Sequence, residues 1–101
     1  MLLAHALTLG QARSHLAALA DRASTIEGSS GYERVLLRLD AIHSEDIPGI
    51  HTVQTHDRDE LFALAQGAIE GLTGHGLDPL TVELVLDLLH AARGLDEPDE
   101  H

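Results

Sequence analysis

The stretch Tyr32-Glu-Arg-Val-Leu-Leu-Arg-Leu-Asp-Ala-Ile-His43 decides the fold class, because its apolar residues fit two different periodicities. Helical spacing accounts for one set of them: Tyr32, Val35, Leu36, Leu39 and Ile42. Strand alternation accounts for another: Val35, Leu37, Leu39 and Ala41. Periodicity alone therefore leaves both a helix and a strand open for this stretch.

The segment that follows favours the strand. Ile47-Pro-Gly-Ile-His-Thr-Val-Gln-Thr55 is rich in β-branched residues, carries turn chemistry at Pro48-Gly49 and has no helical pattern. A helix over 32–43 would leave 44–56 as a long loop containing a lone strand, which is uncommon in a small domain. We therefore expect an antiparallel hairpin that pairs strand 33–42 with strand 50–55.

The residues before the hairpin predict a helix over 9–27. Thr8-Leu-Gly-Gln11 fits a capping box, and Gly-Ser-Ser-Gly at 28–31 reads as the turn that ends the helix. One face carries the apolar residues at alternating four- and three-residue spacing: Ala12, Leu16, Leu19, Ala23 and Ile26. The short segment Leu3 to Leu7 is expected to form an edge strand.

Two further helices are expected after the hairpin. Asp57-Arg-Asp-Glu60 is a capping box for a helix over 58–72, and Gly74-His-Gly76 ends it. Asp78 and Pro79 suit the N-cap and first position of a helix over 79–93, whose apolar arc is wide enough to be buried against another element or chain. The expected fold class is α+β: an N-terminal helix, a two-stranded antiparallel hairpin with a short N-terminal strand, then two C-terminal helices. The alternative is an all-α four-helix bundle.

Charge is distributed unevenly along the 101 residues, whose net charge is −11. Residues 1–43 hold four arginines and four acids, so the whole excess lies in residues 44–101. The length supports one domain, 1–94, followed by an acidic tail, 95–101. A protein of this charge is expected to bind basic proteins rather than membranes or nucleic acid in general.

Several kinds of chemistry are excluded by the residues present. The chain has no cysteine, no nucleophile elbow and no glycine-rich phosphate loop, so we expect no enzyme activity and no catalytic residues. The best candidate metal cluster has spacing that matches no known zinc pattern, so no metal or cofactor is expected. Its members are His51, His56, Asp57, Asp59 and Glu60. Without a signal peptide or a membrane span, the expected location is the cytoplasm.

The N-terminal sequence resembles the Phd/YefM-type antitoxins. The resemblance lies in Leu7 to Ala23, and Val53 to Leu64 is similar to that family's last strand and next helix. The matching residues of the first segment are Ala12, Arg13, Leu16, Leu19, Asp21 and Ala23. The resemblance implies a dimeric, operator-binding module at 1–56 and an acidic helical segment at 57–94 that binds a toxin.

An antitoxin is therefore the expected function, with one alternative that uses the acidic half of the chain in the same way. An antitoxin would neutralise a basic toxin, act as a homodimer and bind operator DNA through Arg13, His15 and Arg22, which lie off the apolar face of the first helix. Partner binding is assigned to Leu80, Leu84, Asp87 and Leu88 on the last helix. The alternative is an acidic immunity or anti-defence inhibitor that binds a basic nuclease without binding DNA.

Overall fold

The computed structural model describes residues 3–42, 53, 55 and 57–96 as a four-helix bundle. Its elements are α1 (Leu3–Arg22), α2 (Ile26–Ile42), α3 (Arg58–Gly71), a 3-10 turn (Leu72–His75) and α4 (Pro79–Asp96). Helix α1 packs on both α2 and α3, and α2 packs on α4. Within the described residues there is no strand.

The hairpin expected over 33–42 is wrong, and the all-α alternative is correct. Residues 26–42 form α2, in which Tyr32, Val35 and Leu39 are buried while Leu37 and Ala41 face solvent. The segment is a helix because the helical spacing places these apolar residues on one face of α2, which packs between α1 and α4. Of the second expected strand, 50–55, only Val53 and Thr55 are described, and neither is in a strand.

The Gly-Ser-Ser-Gly segment is not a turn but part of the first turns of α2. A Cβ atom added at Gly28 would lie 2.5 Å from the Cα of Asp96, and one at Gly31 would lie 2.8 Å from the Cβ of Ala92. These contacts show that α2 and α4 are antiparallel. The two glycines thus serve close packing between helices rather than chain reversal.

Helix α1 begins earlier and ends earlier than expected. The expected edge strand at Leu3 to Leu7 is helical, so Thr8 lies inside α1 instead of capping it, and its hydroxyl is 3.2 Å from His75 Nε2. At the other end Ile26 begins α2 and is 83% exposed, so it does not complete the apolar face. The hydroxyl of Thr25 accepts the N–H of Gly28 at 2.9 Å, which caps the new helix.

The two C-terminal helices are confirmed. Asp57 caps α3 by accepting the N–H of Asp59 at 3.0 Å, and Asp78 accepts the N–H of Leu80 at 3.3 Å at the start of α4. Between them Gly76 adopts a φ of 96°, a left-handed conformation that glycine tolerates, and ends the 3-10 turn. Helix α4 continues past Gly94 to Asp96, three residues beyond the expected end.

The core lies where the inner faces of the four helices meet, and aliphatic residues dominate it. Its buried members are Leu9, Ala12, Leu16, Leu19, Tyr32, Val35, Leu39, Leu61, Phe62, Ala65, Ala68, Ile69, Leu72, Val82, Val85, Leu89 and Ala92. Among the helices of the described residues, none combines the length and apolarity that a membrane span requires.

Candidate protein-binding surface

A row of exposed leucines runs along the outer face of α4. Leu80, Leu84, Leu88 and Leu95 are 62%, 47%, 39% and 46% exposed, and we call these four residues the leucine row. Their spacing of four, four and seven residues places them on one side of the helix. The core residues of α4 lie about a third of a turn further around the helix, so α4 is apolar on two adjacent faces.

Opposite charges flank the leucine row. Arg38 of α2 and Asp87 of α4 line a shallow groove of about 320 Å³ together with Leu84 and Leu88. The packing of Gly31 on Ala92 puts α2 on one side of the row, and helical geometry puts Asp87 and Glu83 on the other. Neither Arg38 nor Asp87 forms an ion pair within the described part of the chain.

The structure brings the residues assigned to partner binding together. Leu80, Leu84, Asp87 and Leu88 all face solvent on α4, and the last three line the groove. Sequence reasoning missed Leu95, although its distance of seven residues from Leu88 continues the same helical period. It also missed Arg38, which reaches the groove only because residues 26–42 are helical.

The residues assigned to DNA binding do not form one surface. Arg13 is only 12% exposed, against the expectation, because its Nε donates to Asp40 Oδ1 at 2.8 Å and ties α1 to α2. His15 lies about half a turn away from Arg13 around α1, beside α3, with its Nδ1 2.6 Å from the carbonyl oxygen of Gln11. Arg22 is exposed in the last turn of α1, on the same side as His15. The assignment to DNA stays a prediction without a contiguous basic face.

The buried carboxylate of Asp96 connects three parts of the bundle at the C-terminal end of α4. Asp96 Oδ1 accepts the N–H of Ser24 at 2.6 Å, and Asp96 Oδ2 accepts from Arg58 Nη1 at 3.1 Å. The side chain of Asp96 is 6% exposed. The contacts join the α1–α2 connection, α3 and α4 at one point.

A small pocket of about 160 Å³ lies beside Asp96. Arg93 crosses it, with its guanidinium 4.5 Å from the centre of the Phe62 ring and its Nη2 3.2 Å from Asp59 Oδ1. Arg58 and Asp57 complete the charged lining. Arg58 pairs with Asp96, and Asp57 caps α3. Since these charged groups bind one another, we interpret the pocket as structural rather than as a ligand-binding site.

Metal ligation has no geometric support in the described ranges, where no three His, Asp or Glu side chains are grouped to hold an ion. His51 and His56 of the candidate cluster lie outside the described residues. The imidazoles of His5 and His75 stack with centroids 5.5 Å apart, which joins α1 to the 3-10 turn.

Comparisons with protein-family models, curated proteins and solved structures find no match to this chain. The resemblance to the Phd/YefM-type antitoxins thus rests only on the two sequence segments named above, Leu7 to Ala23 and Val53 to Leu64. The hairpin expected with it is absent from residues 32–42, which are helical.

Proposed function

We propose that this chain is an inhibitor-type binding protein that covers the cationic surface of a basic protein, such as a nuclease, through the leucine row of α4. The observation that supports this is the exposure of the row on the acidic half of the chain. Exposed apolar residues lined up on one helix face are typical of protein interaction sites.

Charge would guide the partner to this surface. Exposed carboxylates extend from α4 onto the neighbouring α3: Glu83 and Asp87, then Glu70. A nuclease carries positive charge where it holds phosphates, so such a field accelerates encounter and loses strength as salt rises. The leucines would supply most of the affinity once the surfaces meet.

Nucleic acid is not included in this proposal. Arg13 is engaged with Asp40, and the net charge of −11 repels phosphates. Operator binding by an antitoxin stays the competing prediction, and binding to the DNA upstream of the gene tests it.

The test uses the products of the two reading frames that flank the gene for this chain. Each product is purified and titrated with the full chain by calorimetry at low and high salt, and any nuclease activity is assayed with and without the chain. We expect one basic product to bind and to be inhibited. Replacing Leu84→Glu and Leu88→Glu together should raise the Kd about 30-fold or more, the loss typical of central apolar anchors.

The control is Leu37→Glu, which makes the same type of replacement once, at an exposed leucine of α2 outside the row. It should leave the Kd nearly unchanged. Binding that ignores the double substitution, or no binding to either product, contradicts the proposal. Tight binding to the DNA upstream of the gene at physiological salt would support the antitoxin instead.

A further inference from the structure

We propose that, in the protein without its partner, the leucine row packs against the same row of a second copy, with the two α4 helices parallel. In this dimer Arg38 of each copy pairs with Asp87 of the other. The inference does not depend on the proposed function, because it concerns only the surface of this chain.

The apolar pattern of α4 fits such a helix pair. Thr81, Leu84, Leu88, Ala91 and Leu95 follow one another at spacings of three, four, three and four residues. This is the a/d repeat with which two helices interlock side chains along a common seam. The row from Leu80 to Leu95 is about 22 Å long at 1.5 Å per residue, enough for three layers of contacts.

The two charged flanks determine the direction of the second copy. Arg38 lies on the α2 side of the row and Asp87 on the side toward α3. A two-fold axis parallel to α4 brings the α2 side of one copy against the α3 side of the other. Arg38 then faces Asp87 of the second copy at about the same height along the helix.

The antiparallel arrangement is disfavoured by the same charges. A two-fold axis across α4 brings each flank against the identical flank of the other copy. Asp87 would then approach Asp87 of the second copy, and Arg38 would approach Arg38. Like charges facing each other at a helix interface weaken association, whereas opposite charges select the orientation.

Light scattering at tens of micromolar protein tests whether the dimer exists. The full chain should show about twice its mass of 10.8 kDa. The double variant Leu84→Glu, Leu88→Glu should be monomeric, and Leu37→Glu should stay dimeric, with circular dichroism showing that all three are helical. A monomeric wild-type protein overturns the proposal.

Charge exchange tests the paired flanks. Arg38→Glu and Asp87→Arg should each raise the dimer dissociation constant about fivefold or more, because each variant loses an exposed ion pair and faces two like charges across the interface. The double variant Arg38→Glu, Asp87→Arg should return toward the wild-type value, because it restores the pair in reversed order. Failure of the double variant to recover overturns the assigned pairing.

Cross-linking tests the direction of the helices, and the absence of native cysteine makes it clean. A Thr81→Cys chain should form a disulfide with itself, since Thr81 lies on the a/d seam and parallel helices place its two copies side by side. In an antiparallel pair that places Thr81 beside Leu95, the same positions lie about 21 Å apart, far beyond the reach of a disulfide. Cross-linking of Thr81→Cys chains to Leu95→Cys chains, and not to themselves, overturns the parallel arrangement.

The dimer and the proposed partner use the same leucines, yet their failures are distinguishable. A monomeric protein that still binds a flanking gene product removes only the dimer. A parallel dimer that binds neither product removes only the proposed function. If both hold, added partner should convert the dimer into one-to-one complexes, because one surface cannot hold both.

Discussion

Two pairs of helical glycines occupy opposite environments in this bundle. At the α2–α4 interface, a Cβ at Gly28 would meet the Asp96 backbone at 2.5 Å, and one at Gly31 would meet Ala92 at 2.8 Å. At the α1–α3 interface, a Cβ at Gly67 would have no atom within 4 Å, and one at Gly71 would lie 3.4 Å from Thr8 Cγ2. Glycine is therefore required in the first pair, whereas in the second it only leaves space.

The space left at the α1–α3 interface is visible as a groove of about 430 Å³ whose lining includes Gly67 and Gly71. At the α2–α4 interface the helix backbones approach closely, so the two glycines have no room for a Cβ atom. One interface is thus held by close contact, and the other by side chains that bridge a wider gap. Gly→Ala substitutions at the two interfaces should therefore change the free energy of unfolding in opposite directions.

The largest effect is expected for Gly28→Ala. The new methyl group would overlap the backbone of Asp96, which cannot move without disturbing the end of α4, so the free energy of unfolding should fall by about 3 kcal/mol. Denaturant unfolding followed by circular dichroism measures this. An unchanged or raised free energy of unfolding, as for an exposed Gly→Ala change inside a helix, would mean that the two helices are not in close contact here.

A smaller loss is expected for Asp96→Asn at the same interface. The amide oxygen can still accept from Ser24, but the amide N–H₂ would face the guanidinium of Arg58 and leave it without an acceptor, at a cost of about 2 kcal/mol. The matched control is Asp59→Asn, which removes the ion pair with Arg93 at a side chain that is 84% exposed. It should cost less than about 1 kcal/mol. Equal losses in the two variants would contradict the buried role of Asp96.

The smallest effect is expected at the α1–α3 interface, and it has the opposite sign. Gly67→Ala places a methyl group in open space inside α3, so helix propensity should raise the free energy of unfolding by about 0.5–1 kcal/mol. The same unfolding assay measures it. A destabilised variant would contradict the open space at Gly67.

The last two helices could be predicted from sequence because their local signals agree. Asp57 and Asp78 cap them, the 3.6-residue period follows at once, and Gly76 separates them. For residues 26–42 the local signals conflict, since Gly28 and Gly31 read as a turn and the apolar spacing fits a strand as well as a helix. Contacts with α1 and with α4, which is distant in sequence, resolve that conflict.

The candidate surface, too, could be predicted only in part from the sequence. The wide apolar arc of α4 was enough to select Leu80, Leu84 and Leu88, because a helix can bury only one of two apolar faces against its own bundle. Arg38 could not be selected, since its place beside them depends on the fold of α2. Asp96 was assigned to the acidic tail, and no pattern in the sequence distinguishes it from the carboxylates that follow.

The contact between Ser24 and Asp96 also affects the order in which the chain can fold. It joins residues 72 positions apart, and the glycine face of α2 is covered only by the last turns of α4. During synthesis, α1 and α2 leave the ribosome well before the residues that complete their packing. The α2–α4 interface therefore closes only when the chain has been made through Asp96, and until then the nascent helices expose apolar surface to chaperones and proteases.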